Sequence, residues 1–128
     1  LMREGSDVTF VGCGAMVAEC LDAAEELEKE GIKAEVINLH TIKPIDEETI
    51  LKSVGKTGCV VTAEEHQITG GMGGAVAELL GKKMPVAMEM IGVNDTFGES
   101  GKPEELMEKY GLKAHHIVDA AKKVIGRK

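Results

Sequence analysis

Two carboxylates and an imidazole stand together where an apolar stretch of this sequence ends, and a cluster of glycines follows. The residues are Glu64, Glu65, His66, Gly70, Gly71, Gly73 and Gly74. Carboxylates beside an imidazole serve elsewhere as general acids, general bases or metal ligands. Glycines that open a helix leave backbone amides accessible to a phosphate. The segment is therefore a candidate catalytic or phosphate-binding loop, or a tight turn packed against a large neighbour.

The carboxylates and the imidazole lack the companions that most chemistry requires. A metal site needs further ligands at suitable spacing, and the other histidines, His40, His115 and His116, lie on different predicted elements. A general base needs a substrate or nucleophile within about 3 Å, which a sequence does not place. We therefore favour a structural role for this group, in which it caps the sheet and holds an interface. We predict no catalytic, cofactor-binding or metal-binding residue in this chain.

The glycines leave two interpretations open. No Gly-Lys-Ser/Thr follows them, so the segment is not a P-loop. Anion binding at a helix N-terminus and close backbone packing are equally compatible with glycine here. If Gly73 has a positive φ, a β-branched residue would fit it poorly, so we predict that Gly73→Val destabilises the fold or a dimer.

A second glycine pair, Gly12 and Gly14, follows the first apolar run and invites comparison with a dinucleotide-binding turn. That fingerprint needs a third glycine where Val17 stands, and an acidic residue near Leu39 at the end of the second strand. Both are missing. The pair is interpreted as a structural strand-to-helix turn, and no nucleotide is predicted.

Apolar runs alternate with segments of helical period along the whole chain, which is typical of a parallel sheet covered by helices. Gly31 should stop the first helix, Asp46 should cap the second, and Ile45 and Ile50 occupy the positions of a hydrophobic staple. Strands are predicted at Asp7 to Gly12, Ala34 to Leu39, Cys59 to Ala63 and Val86 to Ile91. Helices are predicted from Met16, from Asp46, at Ala75 to Leu80, from Pro103 to Gly111, and across Ile117 to Ile125. The result is one three-layer α/β/α domain, residues 1–128.

The amino-acid composition limits the classes of partner that this chain is expected to bind. The net charge of −7 and the absence of a basic stripe argue against nucleic acid. No apolar run approaches the roughly 18 residues of a membrane span, and no signal-peptide pattern opens the chain. Cys13, Cys20 and Cys59 have no ligand or disulfide spacing and are expected to be buried thiols of a cytoplasmic protein. Because the sequence begins Leu1-Met2, we expect a proteolytic product, a separate subunit or a domain of a longer protein.

Four motifs in a fixed order resemble a known family. They are Gly31 to Asn38 with Ile42 to Asp46, Val61 to His66 with Gly70 to Val76, Gly92 to Gly101, and Tyr110 to Leu112. Over residues 4 to 125 they are similar to the C-terminal domain of thiamine-diphosphate enzymes of the transketolase group. The stretch Asp95 to Gly101 resembles transketolase best, whereas deoxyxylulose-phosphate synthase and the β subunit of 2-oxo-acid dehydrogenases are more distant.

The resemblance implies a parent enzyme that transfers a two-carbon ketol unit between sugar phosphates in the pentose phosphate pathway. Thiamine diphosphate and a divalent metal, Mg²⁺ or Ca²⁺, would be held by other domains, because the Gly-Asp-Gly motif for them is missing here. The implied fold is a doubly wound, mostly parallel sheet of about five strands with one antiparallel edge strand. The implied partners are the remaining transketolase domains or an N-terminal subunit, in a homodimer.

On this resemblance the domain supports dimer and inter-domain packing and is not catalytic alone. Glu64, Glu65, His66 and the glycines Gly70, Gly71, Gly73 and Gly74 become interface candidates. Two alternatives are kept: a free-standing regulatory module that binds an anion at the Gly70 to Gly74 turn, and the C-terminal domain of a 2-oxo-acid dehydrogenase β subunit.

Overall fold

The computed structural model describes residues 2–39, 46–67, 71–93 and 113–128, with the side chains of residues 65–67 and 93 outside the description. Eight elements follow one another in these ranges. They are β1 (Val8–Gly12), α1 (Met16–Glu28), β2 (Ala34–Asn38), α2 (Glu47–Thr57), β3 (Cys59–Gln67), α3 (Met72–Lys83), β4 (Ala87–Val93) and α4 (Ala114–Gly126).

The described strands form one parallel sheet in the order β2-β1-β3-β4. Phe10 of β1 lies between Val36 of β2 and Val61 of β3, which fixes the register across the centre of the sheet. The chain leaves β1 toward β2 and then crosses back to β3, so the winding direction reverses between β1 and β3. In doubly wound folds, ligands bind beside such a reversal, at the carboxyl ends of the strands.

Helices cover both faces of the sheet. On one face α1 and α4 pack against a core that includes Phe10, Val61 and Leu27, all fully buried. On the other face α2 and α3 pack against a second core built around Val11 and Val60. Because side chains alternate along a strand, each strand contributes to both cores, and this is why the strands appear in the sequence as nearly continuous apolar runs.

The predicted three-layer α/β/α architecture with a parallel sheet is confirmed. The described part of the sheet has four strands where about five were expected, and an antiparallel edge strand is not among them. One antiparallel bridge, between Arg3 and Val36, lies at the outer edge of β2. The predicted helix from Pro103 to Gly111, and Ile45 of the proposed staple, lie outside the described residues.

Two predicted helix ends are confirmed. The Asp46 carboxylate accepts hydrogen bonds from the Thr49 amide at 3.2 Å and the Thr49 hydroxyl at 2.8 Å, so it caps α2. Gly31 has a φ of +81°, and its amide donates to the Glu28 carbonyl just past the end of α1. The next amide, of Ile32, reaches back to the Leu27 carbonyl. This pair of bonds is a Schellman motif, in which a left-handed glycine ends the helix.

Several boundaries differ from those predicted, and two of the differences lie in the segment with the candidate chemistry. β3 continues to Gln67 instead of ending at Ala63, and α3 begins at Met72 instead of Ala75. Glu64 therefore belongs to a strand, and Gly73 and Gly74 to the first turn of a helix. Glycine is a poor helix former, so a propensity argument places this helix start too late.

Candidate functional site at the carboxyl end of β3

Glu64 lies inside the domain, with 2% of its surface exposed. Its side chain points to the same face of β3 as Val60 and Thr62, toward α3. One carboxylate oxygen accepts the Met72 amide at 3.0 Å, and the other accepts the Gly73 amide at 2.5 Å. These are first-turn amides, which have no partner within their own helix. Glu64 thus supplies the acceptors that let α3 begin at Met72.

The same contact bears on the anion-binding hypothesis. A phosphate at a helix N-terminus binds the first-turn amides and is favoured by the positive end of the helix dipole. Here the Glu64 carboxylate already occupies two of those amides and already provides the negative charge. A phosphate would have to displace a buried carboxylate that is covalently part of the domain.

Gly73 is required for close packing, not for its backbone conformation. Among the described glycines a positive φ occurs at Gly14, Gly31 and Gly58 and not at Gly73, so the predicted conformational reason was wrong. A Cβ at Gly73 would lie 3.0 Å from the Thr62 hydroxyl oxygen and 3.1 Å from the nearer Glu64 oxygen. Few real Cβ atoms have such short contacts. The missing side chain allows α3 to approach β3.

The packing of α3 on β3 also buries a polar atom, the Thr62 hydroxyl, which was not predicted from the sequence. This hydroxyl is fully buried and has no hydrogen-bond partner among the described residues. The alternation of side chains along β3 could have placed Thr62 on the Glu64 face, but the missing partner could not be inferred from sequence. A buried hydroxyl without a partner costs stability.

The remaining candidates lie around the same helix start. Gly71 is the N-cap of α3, with φ −94° and ψ −161°, and Gly74 is in the first turn. Glu65 and His66 continue β3. Gly70 lies outside the described residues. The structure therefore brings Glu64, Gly71, Gly73 and Gly74 together, and the interface role of the whole segment stays a prediction.

The Gly12 to Ala15 turn fits its structural interpretation. A Cβ at Gly12 would lie 3.1 Å from the Cys20 sulfur of α1, so the glycine permits close contact between β1 and α1. Gly14 has a φ of +61° and makes the turn itself. Both glycines are explained by packing and backbone geometry.

The cysteines and His116 are also explained by burial and by hydrogen bonds within the domain. Burial raises the pKa of the Cys20 thiol to about 12 and also raises the pKa of Cys59, whereas Cys13 is only half-buried. In α4, His116 Nδ1 accepts the Lys113 amide at 3.1 Å.

Within the described ranges, no group of three or more His, Cys, Asp or Glu side chains is arranged to hold a metal. The helices described there are all too short or too polar to cross a membrane.

A buried polar row joins α2 to the sheet and was not anticipated from sequence. The Thr9 hydroxyl of β1 contacts the Ser53 hydroxyl at 2.8 Å and the Thr57 hydroxyl at 2.7 Å. Nearby, burial of the Glu35 carboxyl opposes its ionisation. Hydrogen bonds from Lys56, Ser53 and the Gly5 amide outweigh that effect, so the Glu35 pKa lies below its ordinary value. Directional bonds therefore fix how α2 sits on β1 and β2.

The fold is that of a doubly wound α/β/α domain. At the carboxyl end of β3, the Glu64 carboxylate is buried and hydrogen-bonded to the first turn of α3, within the same domain. A family model described as "Transketolase, C-terminal domain" matches residues 1–117. This chain belongs to that family.

Individual relatives agree with the family assignment. The chain is 56% identical over 128 residues to a 6-deoxy-6-sulfo-D-fructose transketolase subunit of Clostridium sp. (strain MSTE9), covering all of this chain and 40% of that protein. It is 43% identical over 125 residues to the 1-deoxy-D-xylulose-5-phosphate synthase of Heliobacterium modesticaldum, covering 97% of this chain and 19% of the synthase.

Solved structures include a similar fold. A structure described as "Split gene transketolase, inactive beta4 tetramer" superposes with a TM-score of 0.93 at 50% identity, covering 97% of this chain and 41% of that one. The chain thus spans about two-fifths or less of the length of each of these relatives.

Proposed function

We propose that this chain is the C-terminal domain of a transketolase, and that it supports the enzyme's assembly without taking part in its chemistry. The supporting observation is the engagement of Glu64 by the Met72 and Gly73 amides. The segment that carries much of the family resemblance uses its buried carboxylate to build the domain. Its neighbours Glu65, His66 and Gly70 are proposed to contact the remaining transketolase domains or an N-terminal subunit.

The parent enzyme is proposed to transfer a two-carbon ketol unit from a ketose, using thiamine diphosphate and a divalent metal held by its other domains. A sugar phosphate of the pentose phosphate pathway is the first candidate donor. The name of the 56% identical relative supports 6-deoxy-6-sulfo-D-fructose as a second candidate. The parent is further proposed to be cytoplasmic and homodimeric. The split-gene relative, described as a tetramer of its beta chain, supports self-association of such subunits.

The test compares the parent enzyme with the 128-residue chain. The parent, with thiamine diphosphate and Mg²⁺, should transfer a ketol unit from a ketose phosphate or from 6-deoxy-6-sulfo-D-fructose. The chain alone should neither turn over these ketoses nor bind thiamine diphosphate with a Kd near 1 μM, equivalent to about −8 kcal/mol. Turnover or binding of that strength by the chain alone would refute the proposal.

The competing hypothesis, a regulatory anion site at the Gly70 to Gly74 turn, has a separate test. Because Glu64 occupies the first-turn amides, inorganic phosphate should not raise the melting temperature of the chain beyond the effect of a sodium chloride control at equal ionic strength. A saturable increase that the Glu64→Gln variant alters would support the anion site instead.

A further inference from the structure

Three side chains of different chemistry meet at the first turn of α3. The position that a Cβ would take on Gly73 lies 3.0 Å from the Thr62 hydroxyl oxygen and 3.1 Å from the Met90 sulfur. A Glu64 carboxylate oxygen lies 3.1 Å from the same position. A hydroxyl, a thioether and a carboxylate therefore surround one point between the sheet and α3.

The sheet register explains why Thr62 and Met90 are neighbours. Thr62 of β3 pairs with Met90 of β4, and paired residues of parallel strands point to the same face of the sheet. Both side chains therefore lie on the face that α3 covers. Thr62 is fully buried, whereas Met90 lies on the outermost described strand and is 40% exposed. A small solute can thus reach the methionine, while the hydroxyl beside it stays enclosed.

The Thr62 hydroxyl is a hydrogen-bond donor without a described acceptor. The nearby amides of Met72 and Gly73 both donate to Glu64, so that carboxylate is already engaged by backbone groups. The Met90 thioether is only a weak acceptor. A stronger acceptor attached to this sulfur would lie next to a buried donor.

Oxidation of a methionine supplies such an acceptor. A hydroperoxide transfers one oxygen atom to the sulfur and converts the thioether to a sulfoxide. A lone pair of the sulfur forms the S–O bond, the O–O bond breaks, and hydrogen peroxide leaves as water. The sulfur loses two electrons and the peroxide gains them. The product is polar, and its oxygen accepts hydrogen bonds. Among the described large apolar residues, Met2 and Met90 are the exposed ones.

We propose that Met90 is a site of reversible oxidation by a hydroperoxide, and that the Thr62 hydroxyl donates a hydrogen bond to the sulfoxide oxygen. Methionine is unbranched and has three rotatable bonds, so the side chain can turn the new oxygen toward Thr62. Methionine sulfoxide reductases reverse the step. With two thiols as the reductant, the oxygen leaves as water and the thiols become a disulfide. Oxidation of Met90 thereby changes the packing at the helix start that Glu64 holds.

The first measurement is the rate at which hydrogen peroxide oxidises each methionine of the parent protein, followed by peptide mass spectrometry. Met90 should be oxidised at least about tenfold faster than Met16 and Met72, because oxidation follows exposure and these two are fully buried. Oxidation of Met90 at the rate of Met16 and Met72 would overturn the assignment of this site. The measurement requires no enzymatic activity, so it does not depend on the parent being a transketolase.

The second measurement is amide hydrogen exchange at residues 72–80 of the parent protein, before and after peroxide. In the reduced protein, Thr62→Val should exchange no faster than the native sequence, because no described hydrogen bond is lost. In the oxidised protein, Thr62→Val should exchange at least about threefold faster than the native sequence, because valine cannot donate to the sulfoxide oxygen. Equal exchange of the two oxidised proteins would overturn the proposed hydrogen bond.

The Met90→Leu variant separates this residue from the other methionines, because leucine keeps an apolar side chain that peroxide does not oxidise. In this background, Thr62→Val should change the exchange rate equally before and after peroxide. A peroxide-dependent effect of Thr62→Val that persists with Met90→Leu would also overturn the inference. A methionine sulfoxide reductase with dithiothreitol should return the oxidised Thr62→Val protein to its reduced exchange rate, and no recovery would overturn the reversibility.

Discussion

Replacing Glu64 with Gln tests whether this carboxylate holds the start of α3. The carboxamide keeps one acceptor oxygen but turns an NH₂ donor toward the other first-turn amide, so either Met72 or Gly73 loses its partner. A hydrogen bond to a charged group contributes about 1.5–3 kcal/mol, and a negative charge at a helix N-terminus adds about 0.3–1 kcal/mol. The free energy of unfolding should therefore fall by about 2–4 kcal/mol.

The measurement is thermal unfolding followed by circular dichroism. For a chain of this length each kcal/mol shifts the melting temperature by about 4 °C, so Glu64→Gln should melt about 8–16 °C lower than the native chain. The matched control is Glu78→Gln, on the exposed face of α3, which removes an exposed pair with Lys82. Such a pair contributes about 0.3–0.5 kcal/mol, so the control should melt within about 2 °C of the native chain.

A melting temperature of Glu64→Gln equal to that of Glu78→Gln would refute the role assigned to the buried carboxylate. Glu64→Ala offers a second readout that does not depend on the amide geometry of glutamine. Formate can enter the space left by the carboxyl group and accept the same two amides, so it should recover part of the lost stability. Formate should leave Glu78→Ala unchanged.

Three further predictions concern the surroundings of this contact and the buried polar row. Gly73→Ala should destabilise the fold, because the new Cβ would make short contacts. Gly81 has open space around it, so Gly81→Ala should stabilise the fold by about 0.5–1 kcal/mol. The urea midpoints of the two variants are compared. Thr62→Val removes a buried hydroxyl without a described partner and should raise the urea midpoint, whereas Thr9→Val removes a bonded one and should cost about 1–3 kcal/mol. At pH values above the ordinary glutamate pKa of about 4.3, ionised Glu35 stabilises the fold, and this stabilisation is lost as the pH falls through the lower pKa of the folded state. The urea midpoint of Glu35→Gln should therefore decrease less between pH 5 and pH 3 than that of the native chain. A parallel decline in both proteins would contradict the last assignment.

The layers of this fold could be predicted from sequence because the signals that define them are local. The buried strands appear as apolar runs, the stripe from Met16 to Leu27 has helical period, and Asp46 and Gly31 mark helix ends by their own chemistry. Each of these features depends on residues a few positions apart.

The candidate site could be located from sequence but not interpreted. Glu64 and Gly73 were identified, yet their hydrogen bond joins a strand to a helix across a connection, and its geometry depends on how α3 packs on the sheet. Helix propensity placed the start of α3 after the glycines, because it does not include a carboxylate supplied from another element. The polar row from Thr9 to Ser53 was missed for a related reason: buried threonine in a strand has the same pattern as valine.

The strand order has a consequence for the way the chain folds during synthesis. β1 is made first and lies in the interior of the sheet, with β2 added on one side and β3 on the other. β4 then joins the free side of β3, so every described strand docks onto an edge that already exists and none must insert between two others. Because domains begin to fold as the chain emerges from the ribosome, this order lets the sheet grow outward from its first strand.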